Sequence, residues 1–294
     1  MTATYSPLRY PGGKSKLAGF VKMLLLTNDL CDGEYAEPYC GGAGIALHLL
    51  QSEFVSRVFL NDIDPAIHAF WWTVFNSPEE LCRKISSVKL SVQSWKRQKN
   101  IFTHKQEHSR EELGFATFFL NRANRSGILS AGPIGGFGQT GKWLMDARFN
   151  RLTLTKLIED ISEFRDRVTL TRMDAITFIT GRLTKLAPKS LIYFDPPYVN
   201  MGGRLYRNSY VNDDHELIAG GVQQLRGNWI VSYDNVPLVR QLYSGRRSVD
   251  YGIGYSANRK TIGREVMFFS DNLIIPTVPT PVSVGPRAWK SLAA

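Results

Sequence analysis

Glu34-Tyr35-Ala36-Glu37-Pro38-Tyr39-Cys40-Gly41-Gly42-Ala43-Gly44 runs directly into the apolar stretch Ile45 to Leu50. A short strand, a glycine turn and a helix in that order make the first half of a nucleotide-binding βαβ unit. The dinucleotide fingerprint is incomplete. Counting from Gly42-x-Gly44, its third glycine belongs at position 47, where Leu47 stands. The turn therefore lets a ligand approach the backbone without the extra helix-to-strand closeness that a pyrophosphate site favours.

Working outward, Arg57-Val58-Phe59-Leu60-Asn61-Asp62 reads as the second strand. It ends in acid about twenty residues after the glycines, where a carboxylate can grip ribose hydroxyls. Asp64-Pro65 then opens a helix through Trp71, so Asp64 reads as its N-cap and Asp62 as the ligand contact. Further on, the apolar run Ser190 to Phe194 reads as a buried strand, and Asp195-Pro196-Pro197-Tyr198 ends it, because proline cannot donate to a sheet ladder. The Asp195 carboxylate, the Pro196 carbonyl and the Tyr198 ring thus share one stiffened turn at a strand's carboxyl edge. Two acceptors beside an aromatic plate suit a flat ring carrying an exocyclic amine. A plain strand-stopping turn is the competing reading.

Composition narrows the class. A chain of 294 residues with 43% hydrophobic content is long enough for a full core. Its three cysteines (Cys31, Cys40, Cys82) form no CxxC pair and do not suit a disulfide framework, so a reducing compartment is expected. With no 18-residue apolar run and no signal-like leader, we expect a cytoplasmic protein without membrane contact. The net charge is +10. Between Arg83 and Arg151 thirteen basic residues face four acidic ones, and this local +9 attracts a polyanion.

Near the N-terminus, Leu8-Arg9-Tyr10-Pro11-Gly12-Gly13-Lys14-Ser15 leads into an apolar helix from Leu17 to Leu26. Gly13-Lys14-Ser15 is similar to the end of a P-loop, but Leu8 stands where that loop needs its first glycine, and no buried strand leads in. A kinase-type phosphate site is thereby excluded. A glycine turn, a lysine and an aromatic remain.

Taken in order, Tyr10 to Lys14, Glu37 to Gly44, Asp62 and Asp195 to Tyr198 resemble the motifs of Dam-type (D12 class) DNA adenine-N6 methyltransferases, and the resemblance spans nearly the whole chain. It implies an α/β fold: a mostly parallel, doubly wound Rossmann-like methyltransferase sheet with an inserted, mainly helical target-recognition domain and hairpin. It implies S-adenosyl-L-methionine as cofactor, held by the positions matching Tyr10, Lys14, Asp62 and Asp195, with Glu37 among its contacts and the Gly41-Gly42 turn against its methionine moiety. Catalysis would fall to Asp195, Pro196 and Tyr198. No metal is expected, since His48, His68, His104, His108 and His215 show no ligand spacing. The resemblance further implies double-stranded DNA as partner and admits a cognate restriction or defence system. A monomer is expected.

The catalytic domain is expected at 1–75 and 151–275, the recognition insertion at 76–150, and a disordered proline-rich tail at 276–294. Asn121 to Leu129 and the glycine-dense stretch Gly132 to Gly141 resemble a hairpin arm. Arg122, Asn124, Arg125 and Gln139 carry fork-shaped or amide groups suited to base edges. Arg9 stands where the family has a basic residue touching DNA. The wording of Asn121 to Leu129 departs from that of GATC-methylating enzymes, so no recognition sequence follows. Asp174, at the end of the strand Arg167 to Thr171, is expected either to accept from the cofactor's adenine amine or to cap the next helix. Gly202 to Tyr206 reads as a loop able to close over an extruded base, and Val249 to Tyr255 with Glu265 to Phe269 as a hairpin carrying Arg259, Lys260 and Arg264 towards phosphates.

Two other readings compete. An RNA or glutamine amine methylase would keep the pocket but has less use for the basic insertion, and a silent DNA-binding module would show a broken Asp195 or glycine turn. Lysines such as Lys96 are compact charges suited to phosphates. Lys96→Ala is expected to weaken binding to every DNA sequence alike and lower the salt slope by roughly one ion. A titration of Kd against salt on two unrelated duplexes checks it. A sequence-selective loss would give Lys96 a different role.

Overall fold

Strand Ser190–Phe194 is buried at all of its positions, which requires apolar cover on both faces of the sheet to which it belongs. The computed structural model describes residues 5–9, 14–199, 210–255 and 261–290. A short 3-10 turn, Lys14–Leu17, leads into α1 (Ala18–Thr27). There follow β1 (Gly33–Glu37), α2 (Gly44–Gln51), β2 (Val55–Asn61), α3 (Pro65–Asn76), α4 (Pro78–Ser87), α5 (Val92–Thr103), α6 (Arg110–Ala123) and α7 (Arg151–Ser162). The chain continues through β3 (Val168–Thr171), α8 (Ala175–Gly181), β4 (Ser190–Phe194), α9 (Asn212–Gln223), β5 (Asn228–Asp234), α10 (Pro237–Leu242), β6 (Ser248–Tyr255), β7 (Thr261–Phe269) and α11 (Pro286–Lys290).

The seven strands form one sheet in the order β3-β2-β1-β4-β5-β7-β6. The first five are parallel, and β7 runs antiparallel to both β5 and β6. From β1 the chain winds outward to β2 and β3, then returns to lay β4 on the other side of β1. The order reverses between β1 and β4, which is where an open α/β sheet leaves a crevice beyond its carboxyl ends. Period-two burial explains the two covered faces. Leu191, Tyr193, Ile230, Met267 and Phe269 join a cluster with α1, α2 and α3, whereas Ile192, Phe194, Val231, Val266 and Phe268 pack with α8, α9 and α10.

Residues 76–150 contribute helices without a separate core: Leu81, Ile85, Phe102, Phe118 and Phe119 belong to the same cluster as α1 to α3. Helix α6 starts with a capping box in which Ser109 and Glu112 satisfy each other's backbone. It then lies close on α3, where a Cβ on Gly114 would stand 2.3 Å from Thr73 Oγ1 and 2.7 Å from the Ala69 carbonyl oxygen. The Phe70 and Phe118 rings stack across this contact at 6.1 Å. The arm after α6 is represented, among the described residues, by a single antiparallel bridge between Asn124 and Pro133.

The tail is a correction. Residues 276–290 of the stretch expected to be disordered turn at Pro281–Ser283 and form α11, and 291–294 lie outside the described residues. Proline-rich composition hid the valines: Val278, Val282 and Val284 pack on the main cluster and Pro281 is buried. Because the Val284 carbonyl oxygen would be 2.0 Å from a Cβ at position 19, Gly19→Ala should lower stability by about 1 to 3 kcal/mol, outweighing the roughly 1 kcal/mol by which alanine is the better helix former. Urea midpoints of the two proteins check it. An unchanged or raised midpoint would show that the tail does not seat on α1.

Candidate active site

The prolines behind β4 leave Asp195 at the sheet's switch point with its carboxylate about one quarter exposed (24%). Its Oδ1 accepts from Ser232 Oγ at 3.1 Å and lies 3.3 Å from Lys14 Nζ. Ser232 also shares a 2.7 Å hydrogen bond with Tyr193. The Lys14 ammonium is buried, donates to Glu265 Oε2 at 2.7 Å and to the Tyr198 hydroxyl, and sits 4.8 Å from the Tyr198 ring centroid. Tyr198 donates to Glu265 Oε1 at 2.5 Å, and Tyr251 donates to Glu265 Oε2 at 2.5 Å. Lys14, Asp195 and Tyr198 thus meet, and Pro196 is buried beside them. Burial pushes the Asp195 carboxyl up to about 6 and the neighbouring Glu265 charge adds to this, while Lys14 and Ser232 oppose it.

Glu265, Tyr251, Ser232 and Tyr193 are functional neighbours that the motif reading missed. Strand periodicity holds a signal for the first: Glu265 shares a face with Met267 and Phe269, so a charge pointed into an apolar face was readable.

Beside this cluster the β1 turn is held from several sides. Gly41 has φ +42°, its N–H donates to Asp62 Oδ2 at 3.0 Å, and its carbonyl accepts from Trp71 Nε1 at 2.8 Å. Asp62 Oδ1 accepts from the Asp64 N–H at 3.0 Å. Burial drives the Asp62 carboxyl up to about 7 against these two donors. Asp64 caps α3 through Ala66 N–H, as expected, and also takes Lys105 Nζ at 2.8 Å. Gly44 lies against the lysine-bearing turn, a Cβ there meeting Ser15 Cβ at 3.2 Å.

Glu37 is buried, and its Oε1 accepts from Ala46 N–H and Tyr35 hydroxyl, each at 3.1 Å. It supplies the cap that Ala43, at the N-cap position of α2, has no side chain to give. Asn61, also missed, ties three strand ends together through Pro38 and Met173 carbonyls and Thr171. Asp174 is exposed and caps α8 through Ile176 and Thr177 N–H groups, which is the second of its two expected roles. Gly42 follows Gly41 in the same turn. Tyr10, the stretch Gly202 to Tyr206, Arg259 and Lys260 lie outside the described residues.

The expected base readers need correction. The Asn124 amide is fully buried, accepting from Trp95 Nε1 at 2.6 Å and donating to the Ile128 and Leu129 carbonyls. Gln139 donates to the Ile134 and Gly136 carbonyls and accepts from Met145 N–H. Both amides satisfy loop backbone that would otherwise be unpaired, and so are not free for base edges. Arg122 is 9% exposed and donates to the Pro7 carbonyl at 2.6 Å. Burial first, then Arg9 and Arg148, lower its pKa to about 9. Arg125 is exposed at the loop surface. Arg9 is half-buried, and its backbone is clamped by Asn121, which accepts its N–H at 2.7 Å and donates to its carbonyl at 2.9 Å.

A doubly wound sheet with a glycine turn behind β1, a carboxylate behind β2 and an Asp-Pro-Pro-Tyr turn behind β4 sets these groups around the switch-point crevice of a Rossmann-like fold. A sequence model described as D12 class N6 adenine-specific DNA methyltransferase matches residues 10–261, and the chain belongs to that family. It is an adenine-specific DNA methyltransferase. The Type II methyltransferase M.MjaIII of Methanocaldococcus jannaschii is 24% identical over 228 residues, covering 71% of this chain and 76% of the relative. Among solved structures, the rRNA methyltransferase aviRa of Streptomyces viridochromogenes superposes with a TM-score of 0.42 at 12% identity, over 94% of this chain and 90% of that one. Precorrin-6y C5,15-methyltransferase of Geobacter metallireducens gives 0.34 at 10%, over 84% and 85%. Among the described residues no helix is long and apolar enough to cross a membrane.

Burial moves the Glu37 carboxyl from its ordinary 4.5 up to about 8. The folded protein then holds this proton more tightly than the unfolded chain, so the contribution erodes stability as pH rises through that window. Glu37→Gln removes the titration and keeps an acceptor for Ala46. Its melting temperature relative to wild type should therefore climb between about pH 5 and about pH 9, other groups cancelling between the two proteins. A difference independent of pH would show that Glu37 is ionised throughout.

Proposed function

We propose that the carboxyl edge of β1, β2 and β4 binds S-adenosyl-L-methionine and presents a flipped adenine to the Asp195 turn. The observation that carries this reading is the Asp195 carboxylate itself, about one quarter exposed at the switch point: Oδ1 is engaged by Ser232 and Lys14, while Oδ2 accepts from no described residue. The donors and acceptors present fit the cofactor. The positive-φ glycine turn admits close backbone contact, and Asp62 retains lone pairs for ribose hydroxyls beyond the two N–H groups it holds. Glu37 supports this turn from beneath α2, and Asp174 stands at the β3 end of the same edge. When bound, the cofactor supplies a methyl group on a sulfonium, whose sulfur leaves as a neutral thioether.

The adenine amine is a poor nucleophile, and inside a duplex it is out of reach, so the base must leave the stack. Asp195 Oδ2 and the Pro196 carbonyl accept the two N6 hydrogens, which favours a tetrahedral nitrogen and stabilises the positive charge that grows on it; once the N–C bond has formed and the C–S bond has broken, the methylated nitrogen releases one of these hydrogens as a proton to solvent. Tyr198, fixed through its hydroxyl by Lys14 and Glu265, presents its ring to the base. The basic residues of 76–150 supply sequence-independent DNA affinity, with Arg9 and Arg125 as contacts nearer the base. The Type II relative supports a restriction–modification setting.

Purified protein is expected to transfer labelled methyl to adenine N6 of duplex DNA. Asp195→Ala should abolish transfer while leaving DNA affinity largely intact, and Asp62→Ala should weaken cofactor binding instead. Calorimetry and single-turnover assays separate the two, and equal loss of cofactor affinity in both would overturn the assignment. Asp195 must be ionised to accept, so kcat should fall as pH drops through about 6.

A further inference from the structure

Glu265 fixes the Tyr198 hydroxyl and, among the described residues, is the most heavily hydrogen-bonded carboxylate near the reaction centre. It lies on β7, which threads antiparallel between β5 and β6, and its register partner on β6 is Tyr251. Tyr193, Ser232, Glu265 and Tyr251 therefore point to one face of four neighbouring strands, and Lys14 and Tyr198 close over that row. Glu265 is almost fully buried. A buried carboxylate with three charge-assisted or hydroxyl donors is held to one orientation.

Two carboxylates compete for one ammonium. Lys14 Nζ is 2.7 Å from Glu265 Oε2 and 3.3 Å from Asp195 Oδ1. The shorter contact is a direct hydrogen bond and the longer a weaker ion pair. A full Lys14 hydrogen bond to Asp195 Oδ1 would draw the carboxylate's negative charge towards that oxygen and away from the Oδ2 that the substrate amine needs as its nitrogen becomes positive. We propose that Glu265 is a positioning residue that draws the Lys14 ammonium and the Tyr198 hydroxyl to itself, keeping the Asp195 carboxylate available to the target amine. This rests on the reading of Asp195 as the amine's acceptor. Glu265 touches no substrate atom; it acts through Lys14 and Tyr198.

Glu265→Gln keeps the shape and one acceptor oxygen but removes the charge that outcompetes Asp195. At saturating cofactor and DNA, kcat should fall about ten- to a hundredfold, the range seen when a group is oriented from behind. Cofactor Kd and DNA KM should stay within about threefold. The acid limb of kcat should also move to lower pH. Asp195 would then face Lys14 fully and lose a neighbouring negative charge, with Ser232, Tyr193, Tyr198 and Tyr251 unchanged around it. A kcat within twofold of wild type, or a loss confined to KM with the limb unmoved, overturns the proposal. Tyr251→Phe keeps the Glu265 charge but removes one of its donors, and decides the matter if Glu265→Gln does not fold. Lowered kcat with unchanged cofactor Kd then supports the role, and unchanged kcat overturns it. Asp195→Asn separates the two levels. If that variant stays active, the site reading fails. If it is inactive while Glu265→Gln is indifferent, only the role of Glu265 fails.

Discussion

One buried ammonium between two carboxylates holds together parts of the chain that are otherwise far apart. Charge taken out of water is costly unless it is paired and hydrogen-bonded, and Lys14 meets that demand with Asp195 and Glu265 together. The demand fixes three things at once: the lysine-bearing turn before α1, the proline turn after β4, and the outer hairpin that carries Glu265. Removing one carboxylate would leave the ammonium under-compensated in a dry place. The cluster therefore ties the turn before α1 and the β4-to-β6 half of the sheet to the crevice between β1 and β4.

The sheet beneath is a consequence of two-sided burial. β4 is apolar throughout because helices cover both of its faces, and β1 beside it ends in a glycine turn that other side chains, not its own, must steady. Asp62 and Asn61 do that from β2, each spending polar groups on backbone left open where strands end. The raised pKa of Asp62 is the counterpart of that use: its charge sits where water is scarce, and two N–H groups only partly offset the burial.

Much of this was legible in the residues. Apolar periodicity placed the strands and most helices, and the Asp64 cap was readable because Asp-Pro at a helix start has one dominant structural use. The motif order led to the carboxyl edge where Asp62 and Asp195 lie. What stayed hidden depends on pairing across long separations: Lys14 and Glu265 are 251 residues apart, and no local pattern couples them. Asn124 and Gln139 misled for a different reason. An amide that can read an adenine edge can equally close a loop, and which it does depends on carbonyls that only the folded arm reveals. The tail misled because proline content outweighed, on inspection, a few valines that find a groove beside α1.

The clamp of Asn121 on both backbone groups of Arg9, with a third bond to the Gly127 carbonyl, makes the first segment and the loop after α6 one mechanical piece. Gly127 seals it, since a Cβ there would stand 2.3 Å from the Arg9 carbonyl oxygen. From Arg9 to Lys14 the chain has a contour of at most about 17 Å. A displacement of the loop after α6 is therefore felt at Arg9, five residues before the lysine of the charged cluster, so the two places share one short length of chain.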